Sequence, residues 1–301
     1  MTAPIIVGAG LAGLIAAHAW PNAPIIEASG KPRAVHRALL RFRSNAVSQL
    51  TGIEFRKVRV HKGIWAESQP QQPAIRWANL YAQKVLAGGL KGDRSIWNLD
   101  TVERFVAPDN LYEQLVDSVG ARILWGAPAN FRDRKQPLIS TAPLPVVLDA
   151  LDIQRPFEFP RSGIQVHRWR VPGADVFQTL YYPDSHLSIY RASITGDTLI
   201  VEAVGPLGDM DDEQISMSFG INLSECEFLG SVEQKYGKIA PVDDSVRKQL
   251  LFKLTHDHNI YSLGRFATWR NILLDDVVDD IAAIKKLLKA NNAYDIRRAA
   301  A

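Results

Sequence analysis

The start of the chain limits its fold more than any other feature. Pro4-Ile-Ile-Val7 is followed by Gly8, Gly10 and Gly13 in the spacing G-x-G-x-x-G, and then by an Ala/Leu-rich stretch to His18. A second apolar run ends at Glu27, about twenty positions after Gly8. Strand, glycine turn, helix, strand and terminal acid form one βαβ unit, the context that makes this spacing a dinucleotide-binding fingerprint. Gly8 permits the tight turn, Gly10 lets a pyrophosphate reach the backbone, and Gly13 lets helix and strand pack closely. Ala9, Leu11 and Ala12 complete the turn that would line the phosphates. The helix start offers N–H groups and a partial positive charge to them. Glu27, followed by Ala28, would accept from the adenosine ribose hydroxyls. No Arg directly follows that acid, which argues against a 2′-phosphate and so against NADP.

A chain of 301 residues can bury a sizeable core in one or two domains. Cys226 is the only cysteine, which excludes disulfides within the chain and C-x-x-C redox chemistry. The chain runs into its first strand without a basic leader, and no apolar stretch is long enough for a bilayer. A soluble, cytoplasmic protein is expected. Net charge is only +3, yet Lys31, Arg33, Arg37, Arg41, Arg43, Arg56, Lys57, Arg59 and Lys62 cluster between Gly30 and Ile64. Such a block either meets phosphates, of a cofactor or of nucleic acid, or is a solvated face balanced by acids elsewhere.

Further along, Ala107 to Val119 has helical spacing, with Asp109 or Asn110 placed to cap it and Gly120 to end it. Ala121 to Leu124 reads as a strand. Pro137 to Pro145 reads as a buried strand broken by prolines, with a helix after it. From Gly163 to Val204 four β-branched runs, 164–171, 176–182, 186–194 and 198–204, predict antiparallel strands. Near the end, Asn259 to Leu263 reads as a strand, followed by Gly264-Arg265-Phe-Ala-Thr-Trp269-Arg-Asn271. A helix over 273–290 comes next, with Val277, Ile281, Ile284 and Leu288 on one face. Aspartates crowd its start and lysines its end, as the helix dipole favours. Its N-terminus is expected to point at the cofactor.

Together, Val7-Gly-Ala-Gly-Leu-Ala-Gly-Leu14 with Glu27, the strand Ile139-Ser-Thr141-Ala-Pro143, Leu180-Tyr181-Tyr182-Pro183 to Tyr190-Arg191, and Tyr261 to Trp269 resemble a known superfamily. It is the FAD-dependent superfamily of UDP-galactopyranose mutases, protoporphyrinogen oxidases and flavin amine oxidases. The resemblance implies an α/β fold, with a Rossmann-like FAD-binding domain built from discontinuous segments and an inserted α+β substrate domain. Residues 1–45, 106–150 and 246–301 would form the former, and 46–105 and 151–245 the latter. By resemblance, Gly8, Gly10, Gly13 and Glu27 hold the ADP half of FAD; Ala28 and Thr141 are further cofactor-binding candidates, as is Arg33, close enough to Glu27 to reach the cofactor's phosphates. Gly264 and Arg265 lie by its pyrophosphate and ribityl chain, and Asn271, Leu274 and Asp275 approach the flavin ring. Tyr181, Tyr182, Arg191 and Trp269 would stand near the flavin, with Arg191 pairing a phosphate or carboxylate. Gly30-Lys-Pro-Arg33 replaces the family's Gly-Gly hairpin, and the chain is shorter than most members, so the substrate domain must be compact.

The resemblance implies an FAD-dependent oxidoreductase of the amine-oxidase type acting on a C–N bond. The small size and basic block also resemble bacteriophage flavoproteins, which suggests amino-acid-bearing thymidine in viral DNA as a substrate. A mutase-like enzyme on a nucleotide sugar and a non-catalytic flavin-binding protein are the alternatives. No metal motif is visible.

Overall fold

The computed structural model describes residues 3–30, 41–86, 99–132 and 136–299. In chain order the elements begin with β1 (Ile5–Val7), α1 (Leu11–Ala19), β2 (Ile25–Glu27), β3 (Arg41–Phe42) and α2 (Ala46–Thr51). They continue with β4 (Arg56–Ala66), β5 (Gln69–Gln71), α3 (Ile75–Leu86), β6 (Val102–Val106), α4 (Leu111–Val119), β7 (Ile123–Trp125) and β8 (Leu138–Ser140). Then come α5 (Leu144–Ala150), β9 (Arg161–Arg170), β10 (Val176–Tyr181), β11 (Ile189–Gly196), β12 (Thr198–Ala203) and α6 (Asp209–Phe219). The chain closes with β13 (Glu227–Ile239), α7 (Asp244–His258), β14 (Ile260–Ser262) and α8 (Leu274–Ala299).

Two compact units result. The first holds Met1–Arg56, Phe105–Phe159 and Pro241–Ala301, and the second Lys57–Arg104 and Pro160–Ala240. The first unit is built on a parallel sheet in the order β14-β8-β1-β2-β7. Ile6, Ile25, Ile123, Ile139 and Tyr261 of that sheet share one core with Leu14 and Ile15 of α1 and with Leu111, Leu115 and Val119 of α4. Val277, Ile281, Ile284 and Leu288 of α8 close this core, the face that the 3.6-residue period predicts. On the sheet's edge, α7 packs against β14.

The second unit is a curled mixed sheet in the order β13-β9-β12-β11-β10-β4-β6, with β5 off β4. The pairs β9–β12, β11–β12 and β10–β11 are antiparallel as expected, while β10 runs parallel to β4. Trp169, Leu180, Tyr182, Ala192, Ile194, Leu199 and Val201 bury one face of this sheet together with Ile215 of α6.

Several boundaries moved for physical reasons. Pro108 forms a turn in which its carbonyl accepts from Leu111 N at 3.0 Å, so α4 begins later than the pattern at 107. Asn110 is its N-cap residue, but the side chain instead accepts from Gln114 Nε2 at 2.7 Å. Gly120 keeps right-handed helical angles and leads into a short 3-10 turn, so β7 starts at Ile123 rather than Ala121. The basic run 56–62 lies in β4, where Val58 and Val60 are buried and Arg56, Lys57, Arg59 and His61 are exposed. Lys57 pairs with Glu103 at 2.7 Å, both well exposed. Arg33, with the rest of 31–40, lies outside the described residues.

Candidate functional site

The glycine fingerprint sits where β1 ends, at the carboxyl edge of the parallel sheet, where open α/β sheets place their ligands. Gly8 has φ +100°, and a Cβ there would stand 2.2 Å from Thr141 Oγ1. Thr141 is fixed in turn: its N–H and its Oγ1 both donate to Val7 O, at 2.9 and 2.8 Å. At Gly13 a Cβ would stand 2.0 Å from Gly8 O, so the close approach of helix and turn admits no side chain. Gly10 is different. Its φ and ψ of −76° and 174° suit any residue, and nothing lies within 4 Å of a Cβ built on it. Helix α1, which Gly10 opens, has no side-chain cap. The turn thus combines a tightly packed back and an open front.

Glu27 closes β2 beside this turn. One carboxylate oxygen accepts from Ala9 N at 2.8 Å, and the other from Ser29 N and Ser29 Oγ at 2.9 and 2.7 Å. Ala28 between them is exposed. These donors fix the orientation of the carboxylate at the end of β2.

The C-terminal segment meets the same turn. Gly264 has φ +88°, and a Cβ there would stand 3.0 Å from Ala12 Cβ in the first turn of α1. Thr268 braces the loop by donating from N and Oγ1 to Gly264 O, at 3.0 and 2.7 Å. Arg247, 6% exposed, donates to Thr268 O at 3.1 Å, and Arg270 pairs with Asp280. The Arg265 guanidinium lies 5.7 Å from the Phe266 ring. We expect Gly264→Ala to lower the melting temperature and weaken flavin binding together. An L side chain at that φ costs about 1–3 kcal/mol, and its methyl would press on α1. Unchanged melting would show that the loop can rearrange freely.

Other expected contacts are placed differently. Asp275 does not offer a free carboxylate: it accepts from Arg43 N at 3.1 Å, Ser44 N at 2.9 Å and Ser44 Oγ at 3.0 Å, tying α8 to the residues before α2. The start of α8 is not bare either, since Asp276 accepts from Leu273 N at 2.8 Å. Asn271 is exposed and Leu274 half-buried beside this start. Trp269 is buried in the first unit at φ +46°, edge-on to Phe159 with ring centroids 4.9 Å apart.

In the second unit, strand alternation divides the expected catalytic group. Tyr182 faces the α6 core, and its hydroxyl shares a 2.6 Å hydrogen bond with Ser218. Burial raises that phenol out of the physiological range. Tyr181 and Arg191 are cross-strand partners on the other face. Tyr181 is buried, edge-on to Tyr81. Arg191 carries an internal counter-ion, the Glu202 carboxylate, whose other oxygen accepts from Tyr190 OH at 3.0 Å. The expectation that Arg191 waits for a ligand anion therefore meets a pair already made.

The Gly196-Asp197 turn signals this pairing in the sequence: it sets Thr195 opposite Thr198, and the same register sets Arg191 opposite Glu202. Lys84 had no sequence signal. Its ammonium donates to the carbonyls of Tyr182 at 3.0 Å, Asp184 at 2.7 Å and Ile189. Burial pulls its pKa down to about 8, against the opposing pull of Asp211 and Asp184. Among the described residues no group of side chains could hold a metal ion, and no helix is long and apolar enough to cross a membrane.

No family model matches the chain, and no curated protein matches it closely enough to mark a relative. Solved structures do match in fold. A reduced UDP-galactopyranose mutase aligns with a TM-score of 0.66 at 14% identity, over 96% of this chain and 95% of its own. A geranylgeranyl bacteriochlorophyll reductase-like protein from Thermoplasma acidophilum aligns with a TM-score of 0.53 at 12% identity, over 97% and 79%. PqsL of Pseudomonas aeruginosa, described as a probable FAD-dependent monooxygenase, aligns with a TM-score of 0.50 at 13% identity, over 95% and 85%. The architecture is therefore the Rossmann-type fold of FAD-binding flavoproteins, parallel sheet and curled mixed sheet included.

Proposed function

We propose that this protein is an FAD-dependent oxidoreductase that holds the ADP half of FAD on Gly8–Gly13 and Glu27, with the Gly264 loop beside its middle. The observation that carries the reading is the meeting of Gly264 with Ala12, which joins the two glycine segments at one sheet edge. The residues fit the cofactor: open space before Gly10, an uncapped helix start, and an oriented carboxylate at the end of β2. Bound FAD would supply the two-electron chemistry that no side chain here offers. The chain's own residues bind and orient it.

The sequence resemblance extends the proposal to a C–N bond of an amine or amino-acid group, including one carried on thymidine in phage DNA. Lys57, Arg59 and His61 alternate along the exposed face of β4 and would face such a duplex. Binding would then weaken as salt screens the phosphates. A second reading, a mutase-like enzyme on a nucleotide sugar, is favoured by the alignment with the mutase over almost the whole of both chains.

One titration separates these readings. Anaerobic flavin absorbance is followed while small amines, amine-bearing DNA and then NADPH are added. Bleaching by an amine supports C–N oxidation. Turnover of a nucleotide sugar only after reduction supports the mutase reading. A protein that takes up no FAD refutes both.

A further inference from the structure

We infer that Tyr112, in the first turn of α4, is the positioning residue that aims the Gly10 N–H at the cofactor's pyrophosphate. The inference rests on the FAD reading above and adds a residue to it.

The argument follows the two peptide planes of the turn. No peptide bond among the described residues is cis, so in each unit of the turn C=O and N–H point in opposite directions. In the Gly8–Ala9 unit, N–H donates to Glu27 at 2.8 Å, while Gly8 O lies against Gly13. That N–H is satisfied within the protein. In the Ala9–Gly10 unit, the carbonyl is held by Tyr112, whose hydroxyl donates to Ala9 O at 3.2 Å. Holding this oxygen toward α4 turns the Gly10 N–H the other way, at a residue on which a Cβ would meet nothing within 4 Å. One side chain thereby sets the donor that the fingerprint presents.

The surroundings keep Tyr112 suited to this task. Its ring packs on the α1–α4 core, which limits its swing. Burial raises its pKa, and the nearby charges of Glu27 and Glu113 raise it further, so the hydroxyl stays protonated and donating. Nothing about a tyrosine in a helical first turn marks it in the sequence, and its partner is 103 positions away.

The test compares wild type and Tyr112→Phe, which keeps the ring and removes only the donor. FAD and ADP affinities are measured by titration, the unliganded melting temperature by calorimetry, and the Gly10 amide by selective 15N-glycine labelling. In wild type the Gly10 resonance should shift on adding ADP. In Tyr112→Phe we expect that resonance to move or broaden before any ligand is added. FAD and ADP should bind about five- to tenfold more weakly because the Gly10 donor is no longer held in place, while the unliganded melting temperature falls only slightly, by one hydrogen bond's net contribution. An unaltered Gly10 amide with wild-type affinity in the variant would overturn the inference while leaving the FAD reading intact. A wild type that binds neither FAD nor ADP would instead refute the FAD reading, and this inference with it.

Discussion

Gly10→Val should purify without flavin yet melt within about 1 kcal/mol of wild-type stability. The two halves of that expectation come from separate observations. Valine tolerates the extended backbone at φ −76°, ψ 174°, and its Cβ would meet no atom within 4 Å. Folding therefore loses only the small preference for glycine over valine at a helix N-cap. The branched side chain would instead fill the space before the α1 N-terminus, where a pyrophosphate needs direct access to N–H groups. Gly13→Ala makes the contrasting control. Its methyl would sit 2.0 Å from Gly8 O, so helix and turn must separate and stability itself falls. Flavin absorbance after purification and thermal melting read the two effects independently. A yellow Gly10→Val protein with wild-type affinity would show that the fingerprint is not the cofactor site.

The contrast between Gly10 and Gly13 also shows how far the sequence reaches. The spacing G-x-G-x-x-G is local: Gly8 makes the tight turn and Gly13 the close contact of helix and turn that the spacing implies. The buried face of α8 was equally legible, because Val277, Ile281, Ile284 and Leu288 follow a single helical period. Strand alternation was legible and under-used: Tyr181 and Tyr182 are neighbours in sequence and must face opposite sides of a strand. One lies by Arg191, the other in the α6 core. What could not be read were the long-range polar contacts. Asp275 binds Ser44 across 231 positions, and Arg247 of α7 reaches Thr268 in the loop after β14. Such partners are chosen by packing, and a single sequence carries no trace of them. The basic segment 56–62 carries two patterns at once, its charges and the Val58 and Val60 alternation of the strand β4.

The largest stability effect is expected from the Arg191–Glu202 pair in the second unit. Glu202 is 14% exposed on its side chain and lies among Arg191, Tyr190 and Lys238, the last 4.5 Å from the Tyr190 ring. Removing it as Glu202→Ala leaves a cation without its counter-ion and a buried hydroxyl without its acceptor. Breaking fully buried pairs typically costs 3–5 kcal/mol; Arg191 keeps 35% of its side chain exposed, so we expect about 2–3. Replacing both members by apolar residues of similar size should cost less than Glu202→Ala alone, since no charge is then stranded. The pH dependence distinguishes the ion pair from packing. Burial alone would raise the Glu202 carboxyl, but the charges of Arg191 and Lys238 and the hydrogen bonds from Arg191 and Tyr190 outweigh it and hold it below its ordinary value. A carboxyl depressed in the folded state contributes stability above its unfolded value, and loses that contribution as pH falls through the folded one. The stability gap between wild type and Glu202→Gln, taken from urea midpoints, should therefore be full at neutral pH and close below about pH 4. A gap that stays constant down to pH 3 would mean that Glu202 acts through packing and hydrogen bonding alone.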